Sequence, residues 1–311
     1  MQSMSGRSKL TNILANCGEI SALVHETDWS ATPFGPLEVW PPSLQTAASL
    51  CLCSRSPALI WWGPEFNLIY NDACRLMLGA TEHPRAMGQP GRNCWPEIWC
   101  LIGPMLDQVY REGVANGADD QMLSLNRDGF IEERYFTFSN SPIFDESGGV
   151  GGVFTMMTET THRVLRERRL STLSALADEP AKAQTIEEAC DLIVRVLAKN
   201  PLDVPFALLY LTGRDRRRAE LAGTTGIAQD TTFSPATIDL LDAQEPAWPL
   251  AKAAASREPL LLNDLTERFP SVPQGPWPEP PERALVIPLP DGTEPLPAGF
   301  FIAGLSARLA L

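Results

Sequence analysis

Histidine is scarce, with three in 311 residues, and HExxH spacing, paired carboxylates and a nucleophile elbow are missing. Metal-dependent hydrolysis and acyl transfer therefore have no motif to build on. Basic residues are also in deficit. Twenty-five Lys and Arg against 38 Asp and Glu leave a net charge of −13, which repels a nucleic-acid backbone on average. No apolar run approaches the roughly 18 residues needed to span a bilayer, and Met1 to Ile20 lacks the apolar stretch of a signal peptide. The seven cysteines are odd in number and follow no framework spacing, and Cys51 and Cys53, two apart, do not form a zinc knuckle. These absences predict a soluble, cytoplasmic chain with reduced thiols, no metal, no nucleic acid and no membrane.

What is present suits two globular domains, because single cores seldom grow past about 250 residues. The segment Leu10 to Glu26 carries Ile13, Leu14, Ile20, Leu23 and Val24 on a loose apolar face and reads as a helix. A proline- and tryptophan-rich loop, Asp28 to Pro42, precedes a second helix at Ser43 to Cys53. Short apolar runs at Pro57 to Trp62 and Phe66 to Asn71 are split by Gly63 and Pro64 and read as paired strands, and Asn71 caps the helix that follows and ends near Gly79. Helical spacing returns over Pro96 to Val114. Met122 to Leu125, Glu132 to Ile143 and Val150 to Thr158 complete a five-stranded sheet, the last two strands joined by the turn residues Asp145 to Gly149. That sheet leads directly into a charged helix, Thr161 to Ala177, on which Leu165, Leu173 and Leu176 fall at near-heptad spacing, so a homodimeric coiled coil and a solvated linker helix are both open.

A second αβ unit begins with a helix capped by Thr185 and Glu188. Strands are expected at Phe206 to Leu211, Ala219 to Gly223, Leu260 to Asn263, Arg283 to Pro288 and Gly299 to Leu305, with a helix at Pro249 to Ser256 and a proline-rich loop, PSVPQGPWPEPPE. The fold class is α+β, with two antiparallel-sheet domains joined by a linker helix. The basic runs Arg163 to Arg169 and Arg214, Arg216, Arg217 and Arg218 have no glycine-rich loop beside them and read as a charged linker face and a polar turn.

Four motifs together are similar to the amino-terminal PAS and GAF module of a family of soluble bacterial sensor histidine kinases. They are DWSATPFGPLEVWP, LIWWGPEFNLIYNDACR, WPEIWCLIGPMLDQV and the hairpin EERYFTFSNSPIFDESGGVGGVFTMMTETT, which closes on Glu159, Thr160 and Thr161 as a PAS domain closes. DVPFALLYL, EPAWPLAKA, GPWPEPPERALVIPLP and PAGFFIAGLS resemble the GAF part of the same family. The resemblance implies a helical cap over residues 1–54, a PAS domain over 55–160, a signalling helix over 161–183 and a GAF domain over 184–311. It also implies a closing GAF helix and kinase domains further on, so the chain reads as an input region without catalytic residues. Its partners would be a second copy and the downstream kinase.

The resemblance also frames the candidate site. Gly91-Arg92-Asn93-Cys94 is similar to the cysteine turn of flavin-binding, light-sensing PAS domains, and this is the alternative function, with Cys94 as the bonding thiol. Alignment of the hairpin, however, places Phe136 and Phe154 where that family's polar flavin contacts stand. A pocket lined by Trp62, Asn93, Cys94, Phe136, Phe138, Phe154 and Met156 is expected, its ligand unknown. Self-filling is favoured over flavin, with a small hydrophobic ligand or heme as the other occupants; heme lacks an axial ligand, since His83, His25 and His162 read as surface residues. Cys17 resembles the bilin-attaching cysteine of bacterial phytochromes, without the companion motifs in the second half.

Overall fold

The computed structural model describes residues 18–127, 130–241, 247–292 and 296–308. Of the helix expected from Leu10, the part Ile20–Glu26 is observed; Cys17, the bilin candidate, lies outside the described residues. By its contacts the chain divides into two compact units, Met1–Val164 and Leu165–Leu311.

The first unit holds an antiparallel sheet of five strands, β1 (Ala58–Trp62), β2 (Asn67–Tyr70), β3 (Asn116–Arg127), β4 (Phe130–Phe144) and β5 (Val150–Glu159), in the order β2-β1-β5-β4-β3. Its first strand lies beside its last. The helices Asp72–Glu82, Gly91–Cys94 and Trp99–Glu112 fill the connection from β2 to β3. Asn71, fully buried, does more than cap the first of these: its Oδ1 accepts the backbone N–H groups of Cys74 and Ala58, and its Nδ2 donates to the carbonyls of Ser54 and Ser56. One amide thereby joins the helix start, the β1 start and the incoming loop.

The amino-terminal segment is part of this unit rather than a separate cap. Trp29, Phe34 and Trp40 stack edge-on or tilted at centroid distances of 4.9 to 5.5 Å, and with Ile20, Val24 and the helix Pro42–Cys53 they join the same buried core as β1 and β2. Both faces of β1 and β2 are thus covered, which explains why these strands read as continuous apolar runs rather than alternating ones. Cys53 is disulfide-bonded, a departure from the expected set of reduced thiols.

β3 is longer than the four residues expected from sequence, and its pairing with β4 slips between Ala118 and Gln121. This bulge puts Asp120 at a positive φ of 48°, where its carboxylate meets Arg163 in the helix that follows β5. That helix, Thr161–Asp178, starts two residues after the sheet ends.

The second unit holds a six-stranded antiparallel sheet of β6 (Ala207–Thr212), β7 (Arg218–Thr225), β8 (Thr237–Asp239), β9 (Leu260–Leu262), β10 (Arg283–Leu289) and β11 (Gly299–Leu305), in the order β8-β7-β6-β11-β10-β9. Here too the first strand neighbours the last. Sequence reading missed β8, a three-residue edge strand too short to show a period. Thr185 and Glu188 form the expected reciprocal cap, Glu188 N–H donating to Thr185 Oγ1 at 3.1 Å and Gln184 N–H to Glu188 Oε2 at 2.8 Å. Phe206, Phe233, Trp248 and Phe269 make one aromatic cluster at the core. The proline-rich loop is anchored by Trp277, whose Nε1 donates to Ser306 Oγ at 3.0 Å while Arg308 lies 4.2 Å over its ring. Among the described residues no helix is long and apolar enough to cross a membrane.

Candidate functional site

Between the sheet of the first unit and its connecting helices lies a cavity of about 60 Å³. β1, β4 and β5 supply Trp61, Phe136, Phe138, Asn140, Thr155 and Met157 to its wall. β3 adds Leu123 and Leu125, and the helices add Cys74, Met77, Ile102 and Leu106. Strand pairing explains why these residues share a face. Phe138 stands opposite Met157 and Asn140 opposite Thr155, while Leu59, two residues before Trp61, faces Thr155 from the other side. Directly opposed residues in an antiparallel pair point to the same side of the sheet.

Among the described residues, Asn140 and Thr155 bring a side-chain amide and a hydroxyl to the wall, and both are engaged. Trp61 Nε1 donates to Thr155 Oγ1 at 2.8 Å, Thr155 Oγ1 donates to Asn140 Oδ1 at 2.6 Å, and Asn140 Nδ2 donates to Asn116 Oδ1 at 3.0 Å. Asn116 Nδ2 then reaches the carbonyl of Met105 at 2.9 Å. A chain of hydrogen bonds therefore crosses the sheet from β1 to β3 and ends on the helix Trp99–Glu112.

Of the residues expected at the pocket, Phe136 and Phe138 line the cavity and the others do not. Phe154 and Met156 occupy the opposite parity of β5, and Met156 is 45% exposed; Thr155 and Met157 take the inward places. The run Val153 to Met157 is apolar enough at both parities for alternation to be ambiguous, and the register with β4 decides it. Trp62 is likewise displaced by Trp61. The Trp62 ring packs on the glycines opposite: a Cβ on Gly152 would come within 2.7 Å of it, which accounts for the Gly-Gly pair at the start of β5.

The Gly-x-Asn-Cys turn has a packing explanation. A Cβ on Gly91 would approach the Trp61 ring to 2.4 Å and the Trp99 ring to 2.9 Å. Asn93 is exposed, and Cys94 is buried with its Sγ 3.7 Å from the carbonyl of Pro90, outside the cavity wall. A flavin does not fit this site. The cavity is less than half of the roughly 150 Å³ that holds a single benzene ring, and a flavin has three fused rings. Heme is larger still, and His83, half-buried rather than at the surface, has its Nδ1 2.9 Å from Tyr70 Oη. His25 and His162 are exposed.

Two thiols approach one acceptor beside the cavity, Cys51 Sγ and Cys74 Sγ each lying 3.3 Å from the Ala58 carbonyl. Burial pushes Cys74 up to about 12 and Cys51 well above the ordinary thiol range, so both are protonated and unreactive at neutral pH. Among the described residues, no group of three or more His, Cys, Asp or Glu side chains is placed to hold a metal ion.

Next to Phe136 on the same sheet face, Arg134 pairs with Glu132 and with Glu159, the last residue of β5. Thr160 N–H then donates to the carbonyl of Tyr135 at 2.8 Å, and the Tyr135 N–H donates to Thr161 Oγ1 at 3.0 Å. The Glu-Thr-Thr closure is therefore three successive bonds onto β4. Within the second unit, Arg168 of the same helix holds Asp203 through Nε at 3.0 Å and Nη2 at 2.7 Å, and Asn200 Nδ2 adds a third donor at 3.0 Å. Along this helix Leu165 and Leu176 are half-buried, whereas Leu170 and Leu173 are 58% and 62% exposed. The expected stripe of Leu165, Leu173 and Leu176 is thus two faces, and Leu170 belongs with Leu173.

No protein-family model matches the chain. Among solved structures, the chain is similar to the GAF domain from Acinetobacter phosphoenolpyruvate-protein phosphotransferase at 14% identity, with 46% of this chain and 80% of that chain covered and a TM-score of 0.34. It is similar to the GAF domain of a phosphoenolpyruvate-protein phosphotransferase from Coxiella burnetii at 18% identity, with coverage of 45% and 80% and a TM-score of 0.33. A sensory box sensor histidine kinase from Vibrio cholerae matches at 12% identity, with coverage of 33% and 77% and a TM-score of 0.25.

Proposed function

We propose that this chain is a cytoplasmic sensory input module, a PAS-type unit followed by a GAF-type unit, which passes the state of the first unit's cavity through the helix Thr161–Asp178 to a histidine kinase. The observation that carries this reading is continuity: the strands that wall the cavity are those to which the helix is tied. Met157 lines the cavity, and Glu159 and Thr160, two and three residues on, are bonded to Arg134 and Tyr135. A five-stranded antiparallel sheet with adjacent first and last strands and short helices between β2 and β3 supports the PAS assignment. The six-stranded sheet of the second unit supports GAF in the same manner.

The mechanism is a population shift. An occupant that prefers one packing of Phe136, Phe138 and Met157 biases the end of β5, and with it the helix start, by its difference in affinity for the two packings. The helix then acts in a homodimer, with Leu170 and Leu173 at the contact between copies. On this reading the module works by binding and relay.

Filling the cavity without a ligand tests this relay. The substitution Leu123→Phe adds a ring to the wall, and hydrogen exchange at Thr160 and Val164, whose N–H groups bond Tyr135 O and Thr160 O, reports the helix start. Protection there is expected to change several-fold. Identical protection in a folded, cavity-filled variant would reject the relay.

A further inference from the structure

We infer that the cavity of the first unit takes a small, uncharged, hydrocarbon-like ligand of roughly two to four carbon atoms, an inference that rests on reading this cavity as the sensory site. Three observations converge on this class. The first is size, since about 60 Å³ is two-fifths of the roughly 150 Å³ that accommodates benzene. Met77 and Met157 in the wall are unbranched and adaptable, so modest expansion is available.

The second is the bonding state of the polar wall. Trp61 has one donor and spends it on Thr155; Thr155 has one donor and spends it on Asn140; Asn140 Oδ1 receives it, and its Nδ2 is bonded to Asn116. Beyond the second N–H of Asn140, a polar ligand would gain a donor from this chain of bonds only by breaking one of them, whereas an apolar ligand leaves them intact. An alcohol probe asks whether a ligand oxygen uses that N–H.

The third is charge. Among the described residues, no ionisable side chain other than the Cys74 thiol lines the cavity, and that thiol lies against the Ala58 carbonyl. The charges on the same sheet face, Arg134, Glu132 and Glu159, are paired with one another. A buried ionic ligand would have no counter-charge.

The test uses the full chain with ¹³C-labelled methionine methyl groups. The probes are xenon, then propene, 1-butene, 1-pentene and 1-hexene, then 1-propanol and propionate. Xenon and the short alkenes are expected to shift Met77 and Met157 and to leave the exposed Met156 unmoved. Affinity should rise about fourfold for the methylene added from propene to 1-butene and fall from 1-pentene to 1-hexene. Binding of 1-propanol should be at least tenfold weaker than that of 1-butene, which has the same number of heavy atoms, and propionate should be without effect. If 1-propanol or propionate binds as tightly as 1-butene, the ligand class is wrong while the sensory cavity stands. If no probe moves either methyl, xenon included, both fall.

Discussion

Arg134 Nη1 donates to Glu159 Oε1 at 2.5 Å across β4 and β5, while its Nε donates to Glu132 Oε2 at 2.7 Å. Glu159 is also the residue opposite Phe136 in the strand register, so the last side chain of the sheet is fastened beside a wall residue of the cavity. Removal of the guanidinium leaves two half-buried carboxylates facing each other. The variant Arg134→Gln is expected to lose about 1–3 kcal/mol of stability and to abolish the effect of cavity filling on hydrogen exchange at Val164. Retention of that effect would place the coupling elsewhere.

Thr155→Val changes a hydroxyl for a methyl at nearly constant volume. On a hydrophobic scale it should stabilise a buried site. The structure predicts the opposite sign, because Trp61 Nε1 loses its acceptor and Asn140 Oδ1 its donor inside the core. A loss of about 2 kcal/mol or more, read by urea denaturation with unchanged slope, is the expected outcome.

Met156 and Met157 differ by one residue and should differ widely in cost. Met157→Ala enlarges the cavity and is expected to cost about 2–5 kcal/mol. Met156→Ala removes a side chain from an exposed position and should fall within about 0.5 kcal/mol of the parent. Reversed costs would mean that β5 has the other parity.

Asp203 gives a pH signature. Burial opposes its ionisation, but hydrogen bonds from Arg168 and Asn200 and the charges of Arg168 and Arg169 outweigh that and hold the carboxyl below its ordinary value. In the unfolded chain an Asp titrates near about 3.9, so the unfolded state binds more protons as the pH drops. The stability contributed by Asp203 is therefore present in full above about pH 4 and is lost as the pH falls through the lower, folded value. Asp203→Asn should lower stability at neutral pH by on the order of 3 kcal/mol and flatten the acid limb of a stability-against-pH curve.

Leu170→Gln with Leu173→Gln alters an exposed pair and should convert a homodimer to a monomer in sedimentation without lowering the melting temperature of the dilute protein by more than a degree or two. Leu176→Gln, at a half-buried position, should instead destabilise the second unit. A double variant that sediments as the parent does would remove the dimer contact from this face.

Local chemistry was legible wherever one short segment answers its own needs. The reciprocal cap of Thr185 and Glu188 and the Asp145 turn, whose Oδ1 accepts the N–H groups of Ser147 and Gly149, follow from spacing alone. So does the polar turn at Arg214 to Arg217. The same holds for Phe136 and Phe138, where alternation along β4 is clean and the neighbours Thr137 and Ser139 leave one apolar parity.

What the amino acids determined by themselves was most of the longer elements, the two antiparallel sheets and the direct passage from β5 into a helix, because propensity, turn residues and caps act within a few positions of the chain. Tertiary pairing decided which tryptophan, Trp61 or Trp62, and which half of Val153 to Met157 faces the cavity, since both parities carry apolar side chains and only the partner strand distinguishes them. It also decided that the amino-terminal segment shares the first core and that Gly91 serves two indole rings rather than a cofactor. These outcomes depend on volumes brought together from residues far apart in sequence, and no local pattern encodes a volume.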